Sequence, residues 1–237
     1  MKDKEIIVIG NSLRLSECDL LHSFETFDPA QWSIVKHTPK WTVEPGRIVG
    51  GGPDEPHHGQ IFFNEPVKGD VVLEFDARIL PPSYHDIVWF WNTRFGGSPE
   101  PWSAGYLGCL GGWYADMAGI EKVPDYKASA IAPSFRTEPG RWYHIVSGSL
   151  GFEHFIAVDG KLVTYFADAA VPDPSKPGYF GFGIYESHAE FTRLKVYRPH
   201  PTPRPLAYLP GSGYLQERYI REAALSRSHG VPLPKRA

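Results

Sequence analysis

Arg141-Trp-Tyr-His-Ile-Val146, Phe155-Ile-Ala-Val-Asp159-Gly160-Lys-Leu-Val163, Gly178-Tyr-Phe-Gly-Phe-Gly-Ile-Tyr185 and Ala189-Glu-Phe-Thr-Arg-Leu-Lys-Val-Tyr197 follow one another in this chain. Each is a short apolar run or an apolar alternation with period two, the pattern of a strand with a buried face. Asp159-Gly160 supplies the positive φ angles that a tight two-residue hairpin needs. Four such runs in succession read as consecutive antiparallel strands.

The same signals extend upstream. Val71, Leu73 and Phe75 alternate with Val72, Glu74 and Asp76, which leaves one face polar. Glu44-Pro45-Gly46 sets proline before glycine, as a type II turn requires, so Trp41–Val43 and Arg47–Val49 form a hairpin. Gln60–Asn64, Asp70–Ile79 and His85–Phe95 read as further strands. Tyr106–Trp113 is glycine-rich, and glycine inside a strand marks a bulge or a close approach. Met117–Pro139 reads as an irregular excursion.

After Tyr197 the composition changes. Pro199, Pro201, Pro203, Pro205 and Pro210 make a stiff extended segment that cannot join a central strand. Leu215, Tyr219 and Ala223 then recur at helical spacing, and Gly230 and Pro232 end the run. The expected fold is all-β: a two-sheet antiparallel jelly-roll sandwich over residues 1–198, then a proline-rich tail with a short helix over 199–237. The tail either wraps its own domain or grips a partner subunit in a homo-oligomer.

Composition narrows the function classes. At 237 residues the chain is long enough to bury one sandwich core. A net charge of −3 without a clustered basic surface argues against nucleic acid as partner. No apolar run approaches a membrane span, and Ile6–Ile9 is too short for a signal-peptide core. A soluble, cytoplasmic protein is the expectation. Cys18 and Cys109 lack metal-type spacing, and a disulfide between them is not implied. His57-His58 is a weak metal signal, and no phosphate-cradling loop, nucleophile elbow or zinc motif occurs. No cofactor and no metal are expected.

The run Phe24-x-x-Phe-Asp-x-x-x-Trp32, with Trp41-Thr-Val-Glu-Pro-Gly-Arg-Ile48, Gly69-Asp-Val-Val-Leu-Glu-Phe-Asp-Ala-Arg78 and Gly183-Ile-Tyr-Glu-Ser-His188, resembles the concanavalin A-like lectin/glucanase superfamily. Within it the chain is most similar to the 3-keto-disaccharide hydrolase-like domain and its intracellular relatives, over about residues 20–198. The resemblance implies a jelly roll and a saccharide partner. Of that domain's polar strand positions, Asn92 and Arg94 are present. Gly105-Tyr-Leu107-Gly-Cys109 lacks the next strand's glutamate and glutamine. Glu74-Phe-Asp76 is similar to the start of a laminarinase-type carboxylate motif but lacks its third acid.

The candidate site follows from strand faces and turn positions. Phe90, Asn92 and Arg94 share one face of their strand, and Trp89, Trp91 and Thr93 the other. Arg94 and Asn92 are expected to hold a sugar carboxylate or keto oxygen, since arginine's planar fork suits that task. Trp113 is expected to stack on a sugar ring, with Trp91 and Tyr114 as further binding residues. Asp116, Tyr185, Glu186 and His188 are the proton-transfer candidates. His85 and Asp86 are neighbours and point to opposite faces, and His144 in Trp-Tyr-His-Ile reads as a structural core-strand residue. Arg94, Trp113 and Glu186 are thus expected around one cleft. The leading expectation is an intracellular carbohydrate-active enzyme, a glycoside hydrolase or lyase. It would cleave a small oligosaccharide or a keto or uronic sugar by hydrolysis or β-elimination. The alternative is a non-catalytic carbohydrate-binding protein or accessory subunit.

Overall fold

The structure is a computed structural model that describes residues 5–8, 10–36, 40–52, 58–84, 86–97, 101–112, 117–133 and 135–204. The first strands are β1 (Ile6–Val8), β2 (Asn11–Leu13), β3 (Asp19–Ser23), β4 (Trp32–Lys36), β5 (Trp41–Glu44) and β6 (Arg47–Gly50). Next come β7 (His58–Phe63), β8 (Val67–Lys68), β9 (Val72–Ile79), β10 (Ile87–Phe95), β11 (Trp102–Gly111), β12 (Met117–Val123) and β13 (Lys127–Pro133). The last are β14 (Tyr143–Leu150), β15 (Glu153–Val158), β16 (Lys161–Ala167), β17 (Pro177–Tyr185), β18 (Ala189–Arg198) and β19 (Thr202–Pro203).

Two large antiparallel sheets form the sandwich. The front sheet runs β13-β12-β11-β10-β17-β7-β4, with β8 beside β17. The back sheet runs β16-β15-β14-β9-β18-β6-β5, with β3 beside β18. The alternation read in β9 sets the layers: Leu73, Phe75, Ala77 and Ile79 enter the core between the sheets. Phe182 stacks on Phe191 at 4.2 Å and meets Phe75 edge-on at 5.3 Å, which joins the two sheets through aromatic faces.

Both expected hairpins form. Gly46 has φ +86° between β5 and β6, and Asp159 and Gly160 have φ 52° and 76° between β15 and β16. In β11 a Cβ on Gly108 would lie 2.4 Å from the Trp89 indole, so glycine is needed for that tryptophan to lie flat against the strand. Most of Met117–Pro139, expected to be irregular, is strand. Met117–Val123 and Lys127–Pro133 extend the front sheet by two antiparallel strands, with one register shift between Ile120 and Glu121.

A third, small sheet of β1, β2 and β19 covers one end of the back sheet. Its Ile6, Val8 and Leu13 pack on Val72, Val146, Leu150 and Phe155. Part of the proline-rich segment forms an edge strand of this sheet, Thr202 and Pro203 pairing with Ser12 and Asn11. The expected helix over 212–227, and with it the tail's role in self-association, lies outside the described residues. Cys18 and Cys109 are not joined in a disulfide. Among the described residues no helix is long and apolar enough to cross a membrane.

Phe182 is 1% exposed and Phe152 60%. Phe182→Ala should cost about 3–5 kcal/mol in urea denaturation, and Phe152→Ala less than about 0.5 kcal/mol. Similar losses for both would contradict the layer assignment.

Candidate functional site

The residues expected around one cleft are spread over the molecule. Arg94 lies next to the last residue of β10, where its guanidinium donates to the Asp173 carbonyl in the loop between β16 and β17. Glu186 follows β17, beside the start of β10, since Val88 pairs with Gly183 and Thr93 with Tyr179. The two sites are some eight residues apart along β10, about 27 Å in an extended strand. They cannot bind one small sugar together. Trp91 is fully buried, so it packs in the core and offers no ligand face. Trp113, Tyr114 and Asp116, like His57 and His85, lie outside the described residues.

Asn92 departs from the expected face because β10 bulges there. Its φ is 51°, and the register against β11 and β17 shifts at this point. A bulge re-aims side chains, and Asn92 turns toward Ser149 with Trp91. Trp91 Nε1 and Asn92 Nδ2 both donate to Ser149 Oγ, at 3.0 and 3.3 Å. The serine hydrogen is then left for His154 Nδ1 at 2.9 Å. This assigns the proton of neutral His154 to Nε2. The ring lies 3.8 Å from that of Tyr106, and burial pushes its pKa down to about 3.

Tyr185, Glu186 and His188 do share one end of the sandwich. Tyr185 is half exposed and its ring lies 3.9 Å from that of His58. Glu186 Oε1 is 3.9 Å from His58 Nε2. Burial lowers the pKa of His188. Beneath them Asp86 accepts from the Tyr185 amide at 3.4 Å and from the Cys109 thiol at 3.7 Å. Burial raises the Asp86 pKa to about 7.

Among the described residues, the densest convergence of ionisable groups lies elsewhere, on the outer face of the back sheet. Glu74 and Asp76 project from β9, two residues apart and therefore on one face. His144 on β14 pairs directly with Asp76, and Lys195 on β18 with Glu74. His144 Nδ1 lies 2.8 Å from Asp76 Oδ1, and its Nε2 lies 3.5 Å from Glu74 Oε1. Tyr197 donates to Glu74 Oε2 at 2.7 Å, and Lys195 Nζ is 3.5 Å from the same oxygen. Arg193 pairs with Asp76 Oδ2.

A second bulge opens a pocket here. β18 pairs with β6 through Thr192 and with β3 from Lys195, and Arg193, at φ 53°, falls in the gap. The resulting cavity is about 240 Å³ and is lined by Glu74, Asp76, His144, Arg193, Lys195 and Gly46, among others. The reading of His144 as a core residue is corrected: its side chain is 24% exposed and faces this pocket. The polar face of β9 was the sequence signal for the site. Nothing in the sequence tied it to His144, which lies 68 residues further on. Among the described residues no three His, Cys, Asp or Glu side chains are grouped to hold a metal ion.

No family model and no curated protein sequence matches this chain. Solved structures do. The carbohydrate-binding module CBM66 from Bacillus subtilis aligns with a TM-score of 0.54 and 19% identity over 71% of this chain and 96% of its own. A Bacillus subtilis protein of unknown function with a galectin-like fold gives 0.59 and 9% over 76% and 96%. The exoplasmic/lumenal domain of VIP36, in its Ca²⁺/Man3GlcNAc-bound form, gives 0.58 and 14% over 79% and 93%. The two-sheet antiparallel sandwich is the fold that this chain shares with them. Identities this low carry the fold and no activity.

The two buried titrating groups have opposite effects on stability. His154 is neutral in the fold but takes a proton when unfolded below about pH 6.5, so its contribution is lost as pH falls from there toward about 3. Asp86 keeps its proton in the fold up to about pH 7, so its contribution is lost as pH rises from about 3.9 toward that value. Between about pH 4 and 6.5 the slopes oppose, each at most about 1.4 kcal/mol per pH unit. Relative to wild type, Asp86→Asn should gain stability as pH rises through this window, and His154→Gln should lose it. Urea denaturation at pH 4.5, 5.5 and 6.5 measures both, and parallel profiles for all three proteins would refute the assignment.

Proposed function

We propose that this protein binds a small saccharide in the pocket above Glu74, Asp76 and His144. The observation that carries the reading is the convergence of two carboxylates, a histidine, a tyrosine hydroxyl, an arginine and a lysine from three adjacent strands. Each is held by another member of the set, so donors and acceptors are oriented before a ligand arrives. Preorganisation of this kind lowers the ordering cost of binding. Saccharide hydroxyls both donate and accept, which suits a pocket with carboxylates and cations side by side. The cavity of about 240 Å³ is below the usual range for drug-sized ligands, which fits a single sugar ring. The fold shared with a carbohydrate-binding module and a Man3GlcNAc-bound domain supports the ligand class.

A second reading, action on the bound sugar, rests on His144. Asp76 holds the imidazole through Nδ1, and Nε2 faces the pocket and Glu74. A histidine oriented in this way is placed to take a proton from a bound ligand or give one to it. Hydrolysis by paired carboxylates is less well served, because Asp76 is engaged by His144 and Arg193, and Glu74 by Tyr197 and Lys195. Proton abstraction beside the carbonyl of a keto or uronic sugar, with His144 as base, is the chemistry that these groups support.

Binding to a printed array of defined saccharides, followed by calorimetry on the strongest binder, tests the first reading. His144→Ala and Glu74→Gln should each weaken that affinity about ten- to a hundredfold, as expected when a charged hydrogen-bond partner is lost. Wild-type affinity in both variants would refute the pocket. For the second reading, the same saccharide is incubated with the protein and followed by mass spectrometry. A change of mass that disappears in His144→Ala supports proton transfer by this residue, and an unchanged saccharide leaves binding as the whole function.

A further inference from the structure

Trp142 lies on the same face as the pocket, one rung along, and is 42% exposed. It directly precedes β14, two residues before His144, a separation of about 7 Å along a strand. An indole left in water on a sheet surface forgoes the burial that large aromatics usually obtain. This one is also fixed in place. The Arg78 guanidinium lies over its ring at 4.5 Å. Arg78 Nε and Nη2 in turn hold Glu190 Oε2 at 2.7 and 2.6 Å. Glu190 is buried, and its second oxygen lies 3.6 Å from Arg47 Nη1.

The arrangement runs from a buried carboxylate through an arginine to an exposed aromatic plane. Glu190 orients Arg78 with paired, charge-assisted hydrogen bonds, and Arg78 orients the ring by a cation–π contact. Arg78 is two residues from Asp76 on β9, and Trp142, just ahead of β14, is two residues from His144, so the two meet one step beyond the Ala77–Tyr143 pair. The platform is therefore the next rung of the ladder of side chains that forms the pocket. From the residues of that pocket a linked second sugar would extend along the strands onto the indole. The C–H face of a pyranose is the ligand surface that matches a rigid indole plane with polar groups at its edge.

We propose that Trp142, held by Arg78 and Glu190, is a second sugar subsite, so that the protein selects saccharides of two or more linked rings over single sugars. The proposal rests on the saccharide reading of the adjacent pocket and adds to it the length of the ligand. The probes are matched series of one, two and three rings: glucose, cellobiose and cellotriose, and galacturonic acid with its dimer and trimer. Wild type should bind the two- and three-ring members of at least one series about five- to tenfold more tightly than the monosaccharide, the range expected for one aromatic contact. Trp142→Ala should abolish that preference, while Trp142→Phe, which keeps a ring, should retain part of it. The melting temperature of each variant reports its folding.

The outcomes separate the two readings. A length preference that survives in Trp142→Ala overturns the subsite and leaves the pocket standing. Equal affinity of wild type for one and three rings also overturns it. Loss of the preference in Trp142→Ala, with His144→Ala as tight a binder as wild type, upholds the platform and removes the pocket reading. If wild type binds no member of either series, the subsite falls for these ligands, and the array of the preceding subsection decides the pocket separately.

Discussion

Strand β9 carries Leu73, Phe75, Ala77 and Ile79 on one face and Glu74, Asp76 and Arg78 on the other. A slip of one residue against β14 or β18 would drive three charges into an aromatic layer and lift Phe75 out of it. Because the side-chain period of a strand is two, register errors of this kind exchange faces completely. The packing of Phe75 against Trp89 and Phe182 of the opposite sheet thus holds the register of the central back-sheet strands. That register sets His144 opposite Asp76 and Lys195 opposite Glu74. The core and the pocket are two faces of one constraint.

Bulges then decide where regular pairing gives way to function. In β18 the left-handed residue Arg193 lets the strand change outer partner from β6 to β3, and the gap becomes the pocket. In β10 the left-handed residue Asn92 turns a polar side chain toward the sandwich interior. Non-glycine residues at positive φ cost about 1–3 kcal/mol each and persist where surrounding structure requires them. At Asn92 that structure is a hydrogen-bonded group: Trp91 and Asn92 donate to Ser149, which donates to His154. At Arg193 it is the ion pair with Asp76.

The outer face of the back sheet is divided into zones. One end is covered by the small sheet of β1, β2 and β19, which buries Val72 and Val146. The middle carries the Glu74, Asp76 and His144 pocket. The far end carries Trp142 over Arg78, with Glu190 and Arg47 behind them. A single strand, β9, passes through all three zones, and its outward residues change from valine to acid to arginine along the way.

The amino-acid sequence by itself determined the local backbone. Pro45-Gly46 and Asp159-Gly160 specify hairpins through their own φ preferences, and the alternations in Val71–Asp76 and Gly178–Tyr185 specify strands. These effects act between residues close together in the chain. Met117–Val123 was not legible, because Gly119 and the adjacent Glu121-Lys122 blur its alternation, and only pairing with β11 and β13 makes it a strand. Nor was the grouping of site residues legible. His144 meets Glu74 and Asp76 because β14 and β9 are neighbours, and Arg94 and Glu186 part because they end opposite sides of the β10–β17 pair. Which strands become neighbours, and where a bulge re-aims a side chain, depends on how two whole sheets bury their aromatic faces together, and that was decided only by the tertiary structure.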